Sequence, residues 1–473
     1  MLDDQLTHAR PEPLVRSLGV LGVLFLTLSV TTPASSVFVI VPGMLQSAGT
    51  GTVWALLVAG LICIATAYVY AELSSAWPIA GGEYVMVAHT LGPGAGFVML
   101  GINLVNNLLF PPVAALGVSA MLANVVPGLP TIPTAIAVLA GATAVSVLNI
   151  RVNAWLTGIF LLVELGSLVA VAWFGFGDIG RPLATMLSNP VMPAPTGLVP
   201  ASAASIGVAT TIGIFALNGY GAAVYFGEEM HEAPRRIAGT IIIAVVLALA
   251  LIAIPVFAAL MGAPDLRALL VADDPFGMLV GLRGGSQLAA WVAVGVVIAI
   301  VNAVIACILA TARFLYGTAR DRSWGRPLDP WMAAIHPRHG SPWLGTLLIG
   351  VFTIGCCFVP LTFLLVVSGA GLVAIYAGIA VAVIVSRQSG TSGTTGYRMP
   401  LFPLAPLVTL AALAYVVWSS WLDVEEGRPA LIATAAQILL AVAYYRFVLK
   451  RRGDWTAHIP DCPSLAQQGA SHR

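Results

Sequence analysis

Long apolar stretches recur along the whole chain, and they limit what the chain can fold into more than any other feature. Of its 473 residues, 59% are hydrophobic and only 9% are charged. A soluble protein carries roughly 25% charged residues, because its surface has to be covered with polar groups. The composition therefore excludes a water-soluble enzyme or nucleic-acid-binding protein and indicates that most of the surface faces lipid.

Glycines, prolines and charged residues divide the apolar sequence into twelve segments, and a membrane helix needs about 20 residues. We therefore predict an all-α polytopic membrane protein with one domain over 17–450, a short tail at 1–16 and another at 451–473. The first stretch is longer than the apolar core of a signal peptide, so we expect it to be retained. The predicted spans are 17–46, 52–75, 95–124, 131–149, 152–176, 203–229, 237–262, 287–317, 342–360, 362–386, 403–422 and 429–449.

The basic residues predict the orientation of these spans. If the N-terminus is cytoplasmic, 17 of the 21 Arg and Lys residues fall on the cytoplasmic side. Because cytoplasmic loops are enriched in basic residues, we predict that both termini are cytoplasmic. Lys450 is the one lysine, a usage typical of a GC-rich bacterium, so we expect a bacterial cytoplasmic (inner) membrane. On this view, the cluster of Arg313, Arg320, Arg322 and Arg326 is mainly an orientation signal that could also touch anionic lipid.

Motifs for catalysis and for metal binding are absent from the sequence. The five cysteines show neither ligand spacing nor a paired framework, and there is no phosphate-binding loop, nucleophile elbow or zinc-protease motif. We therefore expect no enzymatic activity, no metal and no cofactor. The net charge of +1 gives no reason to expect a nucleic-acid partner.

Two of the predicted spans are interrupted near their middle. Span 1 contains TTPASS (Thr31–Ser36), and span 6 contains FALNGYG (Phe215–Gly221). Proline removes a backbone donor and glycine weakens a helix, so each interruption could be an ordinary kink. However, the two lie five spans apart, at matching positions of 17–176 and 203–386. Because five is odd, the second set enters the membrane from the opposite side, and this pattern predicts an inverted repeat with a transport site between the breaks.

The polarity of the broken ends predicts the kind of substrate. A half-helix that starts near Ser35 or Ser36 would direct free N–H groups at a substrate carboxylate. The carbonyls that end the preceding half-helix near Thr31, and those before Asn218, suit an ammonium group. Together these features describe an α-amino acid, with Phe215 and Tyr220 over its side chain. The candidate substrate-binding residues are Thr31, Thr32, Ala34, Ser35, Ser36, Phe215, Asn218, Gly219, Tyr220, Asn106 and Asn302.

Three stretches resemble a known family. YAELSSAWPIAGGEY (Tyr70–Tyr84), NGYGAAVYFGEEMHEAPRR (Asn218–Arg236) and SSVFVIVP (Ser35–Pro42) are similar to signatures of the amino acid–polyamine–organocation transporters, and the resemblance covers roughly 15–450. It implies the leucine-transporter fold, with ten helices in two inverted repeats of five and two peripheral helices at 403–449. It also implies secondary active transport of an amino acid or amine by alternating access, driven by a proton gradient, a sodium gradient or exchange.

Span 5 departs from the family pattern. Many proton-dependent members carry a lysine in a run like GIFLLVEL (Gly158–Leu165), where this sequence has Glu164. An acid near mid-membrane is costly and is read first as functional, so we predict that Glu164 couples transport to protons. The alternatives are a permanently protonated structural Glu164 or a fixed charge that holds a second amine of a cationic substrate.

Other polar residues have two interpretations each. Asn103, Asn106 and Asn107 share one helix face, and they and Asn302 could either join helices or line the substrate path. We expect Glu72, at the inner end of span 2, not to touch substrate. The charges that follow span 6 could form an inner gate or a solvated loop; they are Glu228, Glu229, Glu232, Arg235 and Arg236.

Three functions remain in competition at this point. The first is an amino acid permease, coupled to protons or working by exchange. The second is a polyamine or organocation permease, which Glu164 favours slightly. The third is a membrane amino-acid sensor that does not transport, which would usually need a cytoplasmic output domain. In each case the expected partners are a small molecule and the lipid bilayer, and the protein is a monomer or weak homo-oligomer.

Overall fold

A computed structural model describes residues 14–122, 128–391, 396–422, 424, 427–453 and 455–457. The predicted N-terminal tail up to residue 13 and the predicted C-terminal tail beyond residue 457 lie outside the described residues. Within the described chain the structure is predominantly α-helical, as predicted. A short antiparallel hairpin, β1 (Val191–Ala194) and β2 (Gly197–Pro200), stands in the loop before predicted span 6.

The helices follow the apolar runs closely. In chain order they are α1 (Val20–Thr31), α2 (Pro33–Ser35), α3 (Val41–Ala48), α4 (Thr52–Ala76), α5 (Glu83–Leu91), α6 (Pro93–Leu122), α7 (Thr131–Ser146), α8 (Ile150–Phe176), α9 (Leu183–Ser188), α10 (Ala203–Ala216), α11 (Ala233–Gly262), α12 (Leu266–Val271), α13 (Pro275–Gly284), α14 (Ser286–Arg320), α15 (Leu328–Met332), α16 (Trp343–Cys356), α17 (Leu361–Ser389), α18 (Leu404–Leu422), α19 (Gly427–Tyr444) and α20 (Lys450–Arg452). A π-helical turn (Ser36–Ile40) joins α2 to α3, a 3-10 helix (Tyr220–Glu229) follows α10, and a second π-helical turn (Tyr445–Leu449) follows α19.

In the described part of the chain, nine helical runs are long and apolar enough to cross a membrane. The first of them, Val20–Ala76, holds two predicted spans, which Gly49 separates with a φ of +55°. The helices α7 and α16 are apolar but have 16 and 14 residues, fewer than the roughly 20 that a bilayer needs. The chain is therefore a multi-pass helical membrane protein with about nine to eleven spans.

The broken first span lies at the centre of the bundle. Helix α1 packs against α8, α11, α14 and the 3-10 helix, and Val23 and Leu26 on it are fully buried. By contrast, α8 and α19 present large apolar side chains such as Trp155, Trp173 and Leu440 to the outside. Exposed apolar surface of this extent suits lipid and not water. The lipid-facing helices thus surround a core in which α1 and the 3-10 helix are shielded.

Candidate functional site

The first predicted break is present in span 1. Helix α1 ends at Thr31, and Thr32 adopts a left-handed backbone with φ 43° and ψ 72°, which is uncommon for a residue other than glycine. The chain becomes helical again at Pro33, because the fixed φ of proline suits the first turn of a helix. The predicted end near Thr31 is confirmed. The predicted restart near Ser35 or Ser36 is wrong by two or three residues.

The second break lies at the predicted place in span 6. Helix α10 ends at Ala216, and Gly219 has a φ of +117°. The chain then continues as the 3-10 helix over Tyr220–Glu229, a tighter form than the predicted α-helix. A Cβ atom on Gly219 would lie 2.6 Å from Cα of Thr31. The two breaks therefore touch each other, and this close contact admits no side chain at position 219.

A hydrogen bond joins the two broken helices directly. The Ser36 hydroxyl donates to the carbonyl of Ala216 at 2.8 Å, where the end of α10 leaves a carbonyl without a partner in its own helix. The Thr31 hydroxyl bonds back to the Thr27 carbonyl at 3.0 Å. Both side chains were candidates for substrate binding, and in this structure both are used inside the protein. Ser35, between them, keeps partial exposure.

Glu164 occupies the start of the second half-helix. The Ala34 amide donates to Glu164 Oε1 at 2.8 Å, and the Thr32 hydroxyl approaches the same oxygen at 3.4 Å. Glu164 is fully buried, and its Oε2 has no hydrogen-bond partner among the described residues. The first amide of this half-helix is thus bonded to a carboxylate from α8, one residue before the start near Ser35 or Ser36 where we predicted a substrate carboxylate.

The asparagines have different surroundings. Asn302 is fully buried on α14 and donates to Ser29 Oγ at 2.9 Å and to the Thr157 carbonyl at 3.2 Å, so it ties three helices together. Asn106 is half-buried on α6 and faces Gly371 of α17, whose added Cβ would lie 3.8 Å from Asn106 Cβ. Asn106 is therefore the one of these two that keeps partial exposure.

Asn218 is bonded to a residue that the sequence analysis missed. The Tyr376 hydroxyl, on α17, donates to Asn218 Oδ1 at 2.6 Å. The rings of Tyr70, Tyr220 and Tyr376 form a cluster with centroid distances of 6.0–6.4 Å. Tyr220 is thus one of three tyrosines that pack together next to the break at Gly219. A single tyrosine in the apolar run of span 10 was the available signal for Tyr376.

Phe215 borders a mostly apolar cavity. This cavity has a volume of about 560 Å³ and lies among α10, α17, α18 and α19, with Tyr376 also in its wall. Phe215 is half-buried, so its ring is accessible from this cavity. Phe215, which we predicted to cover the substrate side chain, therefore lines this cavity on one side.

The charges after span 6 form ion pairs with α14. Glu229 accepts two hydrogen bonds from the fully buried Arg313, at 2.5 and 3.2 Å. Glu228 accepts from Arg320 at 2.9 Å and from the Ala80 amide at 3.0 Å. Arg313 and Arg320 are therefore also structural partners within the fold, beyond the orientation signal that was predicted for them.

Glu232 and Glu72, the two other acids considered in the sequence analysis, also form ion pairs. Glu232 forms an exposed pair with Arg236 one helical turn away, which fits the solvated interpretation. Glu72 forms a two-pronged pair with Arg387, with both distances at 2.6 Å, and it also accepts from the Met399 amide. Glu72 thus joins α4 to α17.

Main-chain bonds connect the beginning of α1 to the end of the 3-10 helix. The amides of Ser17 and Leu18 both donate to the Glu229 carbonyl at 2.9 Å, and the His231 amide donates to the Leu18 carbonyl at 2.9 Å. These bonds form a short parallel bridge between Leu18 and Met230. These bonds therefore link the two half-spans that the predicted orientation places on the cytoplasmic side.

Comparison with known proteins agrees with this architecture. The model of the amino acid permease family matches residues 18–444, and the resemblance to the amino acid–polyamine–organocation transporters is confirmed. An uncharacterized transporter of Mycobacterium tuberculosis is 27% identical over 72% of this chain and 73% of its own length. The methylthioribose transporter of Bacillus subtilis is 25% identical over 80% and 83%. Cationic amino acid transporter 7 of Arabidopsis thaliana is 24% identical over 72% and 60%.

These relatives are transporters and not enzymes. A transporter of this family has a small-molecule substrate and is embedded in the membrane. Because the family model covers most of the sequence, the chain belongs to the amino acid permease family.

Proposed function

We propose that this protein is a secondary active transporter that moves an amino acid across the bacterial cytoplasmic membrane by alternating access. The observation that carries the proposal is the contact between the two helix breaks, at Thr31 and Gly219. Irregular backbone at membrane depth survives only inside protein or beside a cavity, and paired breaks are typical of transporter sites. The proposal includes twelve spans in a five-plus-five inverted repeat with two peripheral helices and both termini in the cytoplasm.

Partial exposure near the breaks suggests where the substrate binds. Ser35, Asn218 and Gly219 are half-buried although they lie in the middle of their spans. The Ala34 amide already has a partner in Glu164, so the adjoining turn at Ser35 is the better place for a substrate carboxylate. The ammonium group would then face the carbonyl ends of α1 and α10, which carry partial negative charge.

Glu164 is the proposed coupling group. When it is ionised, its negative charge at Ala34 opposes binding of a substrate carboxylate at the adjoining turn near Ser35. When it is protonated, it is neutral, its bond to Ala34 weakens and an anionic group is accepted there more readily. One proton could therefore enter with one substrate, since binding of either favours binding of the other. Exchange of two substrates would proceed without this step.

Purified protein in liposomes tests the proposal. Labelled amino acids and amines would be offered under an imposed pH gradient, an imposed sodium gradient, or with unlabelled substrate inside. We expect saturable uptake of at least one amino acid, with accumulation when the outside is acidic. Binding of an amino acid without any flux under all three conditions would contradict transport and favour the sensor.

A second candidate is a permease for a cationic substrate. The specific observation in its favour is Glu164 Oε2, a buried carboxylate oxygen without a hydrogen-bond partner among the described residues. A second amine of the substrate could bond to it, and the Arabidopsis relative is named for cationic amino acids. The same liposomes distinguish the two, because a cationic permease would prefer lysine, arginine or a diamine to alanine and leucine.

A further inference from the structure

Two buried acids in the described chain lack a nearby cation. Its five buried carboxylates are Glu72, Glu83, Glu164, Glu229 and Asp321. Three of these have an arginine nitrogen within 4 Å. The pairs are Glu72 with Arg387, Glu229 with Arg313, and Asp321 with Arg320. Glu83 and Glu164 have none. Glu164 belongs to the site above, whereas Glu83 lies elsewhere, at the start of α5.

Neutral groups from three other elements bind the Glu83 carboxylate. Tyr70, on α4, donates to Oε1 at 2.9 Å. Asn103, on α6, and Tyr225, in the 3-10 helix, each donate to Oε2 at 2.8 Å. Asn107 in turn donates to the Tyr225 hydroxyl at 3.2 Å. Glu83 therefore joins its own helix α5 to α4, α6 and the 3-10 helix.

The titratable groups around Glu83 carry no positive charge. They are Tyr70 of α4, Tyr225 of the 3-10 helix, Tyr376 of α17, which packs on Tyr70, and Cys307 of α14, whose sulfur lies 3.8 Å from the Asn107 carbonyl. From α6 the neighbours are the two uncharged asparagines. On α5 itself, Tyr84 bonds to Asp321 and His89 stacks on Trp77, so both are engaged elsewhere.

This environment is suited to a proton more than to a permanent charge. An ionised carboxylate without a counter-ion is costly to bury, although its three donors offset part of that cost. Burial is the larger effect, and it raises the pKa of Glu83 above the usual range of a glutamate. The Tyr70 hydroxyl can rotate to accept a hydrogen bond, so the network can also accommodate a protonated Glu83.

Glu83 is connected to the transport site through Tyr70 and Tyr225. A Cβ on Gly221 would lie 2.8 Å from Cζ of Tyr70, so Tyr70 touches the chain two residues after the break at Gly219. Tyr225 stands midway along the 3-10 helix, between that break and Glu229, which holds Arg313. Any movement of the 3-10 helix away from α4 and α6 would break the Tyr225 bond and admit water to Glu83.

We propose that Glu83 is a second proton-binding site, which holds a proton while the cytoplasmic half is closed and releases it when the 3-10 helix moves away. This inference rests on the proposed transport function. The neutral form is favoured in the buried state and the charged form in the opened, hydrated state. Opening therefore releases a proton, so an acidic cytoplasm favours the closed state and an alkaline one promotes opening.

Infrared spectroscopy of the purified protein tests the buried proton without any transport. We expect a carbonyl stretching band of a protonated carboxylic acid at neutral pH, and part of it should be lost in Glu83→Gln. The same comparison with Glu164→Gln identifies the contribution of that residue. If the band is unchanged in Glu83→Gln, Glu83 is ionised in the closed state and the proposal is overturned.

Exchange of labelled for unlabelled substrate at equal pH on both sides tests the gating role, in the Glu164→Gln background. We expect the rate to rise with pH, to become independent of pH in Glu83→Gln and to keep its slope in Glu83→Asp. Tyr225→Phe removes a donor to the ionised form and should displace the profile to higher pH. Unaltered profiles in Glu83→Gln and Tyr225→Phe would overturn the proposal, whereas absence of transport by the wild type would instead overturn the proposed function.

Discussion

The amide nitrogen of Ala34 lies 2.8 Å from Oε1 of Glu164, although 130 residues separate them in sequence. A helix start inside the bundle is thus bonded to an acid from another helix. Glutamine at position 164 can still accept this bond but cannot gain or lose a proton. We expect Glu164→Gln to abolish accumulation driven by a pH gradient while exchange continues. Unchanged pH-driven accumulation in this variant would remove Glu164 from the coupling mechanism.

Glu164→Ala should behave differently from Glu164→Gln. It leaves the Ala34 amide buried without a partner, which costs about 1–3 kcal/mol. We expect a lower midpoint of thermal unfolding in detergent for Glu164→Ala and a nearly unchanged one for Glu164→Gln. Equal loss in both variants would show that the charge, and not the hydrogen bond, stabilises this helix start.

The backbone of Gly219 makes it the most demanding glycine of the site. Its φ of +117° is strained for other residues, and an added Cβ would lie 2.6 Å from Thr31 Cα. We expect Gly219→Ala to destabilise the fold by at least the roughly 1–3 kcal/mol of such backbone strain and to reduce transport severely. The matched control is Gly166→Ala on α8, where an added Cβ meets nothing within 4 Å. Similar thermal stability of both variants would contradict the observed contact.

The ion pair of Glu229 and Arg313 should be necessary for folding. Removing one partner leaves a buried charge without compensation, and such changes cost about 3–5 kcal/mol. We therefore expect Glu229→Ala to lower thermal stability or expression strongly. Glu232→Ala, which breaks an exposed pair, should change stability by no more than about 1 kcal/mol. Unfolding curves of the two variants in the same detergent provide the measurement, and equal stability would be the contrary result.

Ser35 and Ser36 should differ although they are neighbours. Ser36→Ala removes the bond to the Ala216 carbonyl, worth roughly 1 kcal/mol, and should lower thermal stability. Ser35 is half-buried beside the proposed substrate carboxylate, so Ser35→Ala should leave stability within about 0.5 kcal/mol of the wild type. A Ser35→Ala variant with the larger loss of stability would show that its hydroxyl has an unrecognised structural partner.

Local chemistry made the breaks and most helices predictable from the sequence. Pro33 and Gly219 act on their own backbone, so their effect can be read without knowing the fold. The helix restarts at Pro33, two or three residues before the predicted start near Ser35 or Ser36, because the fixed φ of proline suits the first turn. The 3-10 helix Tyr220–Glu229 packs against α1, α4, α11 and α14, and a local sequence pattern does not contain this packing.

Contacts between distant residues were the part that could not be predicted. Glu229 and Arg313 each lie near the inner end of a predicted span, and nothing local in the sequence pairs them. Only the packing of α14 against the 3-10 helix brings them together. The same holds for Tyr376, whose position in span 10 gives no hint of Asn218. The importance of Glu164 was predicted from its depth alone, but its partner Ala34 was not.

The bridge between Leu18 and Met230 has a mechanical consequence. Main-chain bonds join the beginning of α1 to the end of the 3-10 helix. We therefore expect α1 and the 3-10 helix to move together as one rigid body. Thr32 and Gly219, which have left-handed backbone where these half-spans end at the breaks, would then be the two hinges, next to the proposed substrate site. If α1 and the 3-10 helix rotate together while α3 and α10 stay in place, the access path on one side of the membrane could open while the path on the other side stays closed.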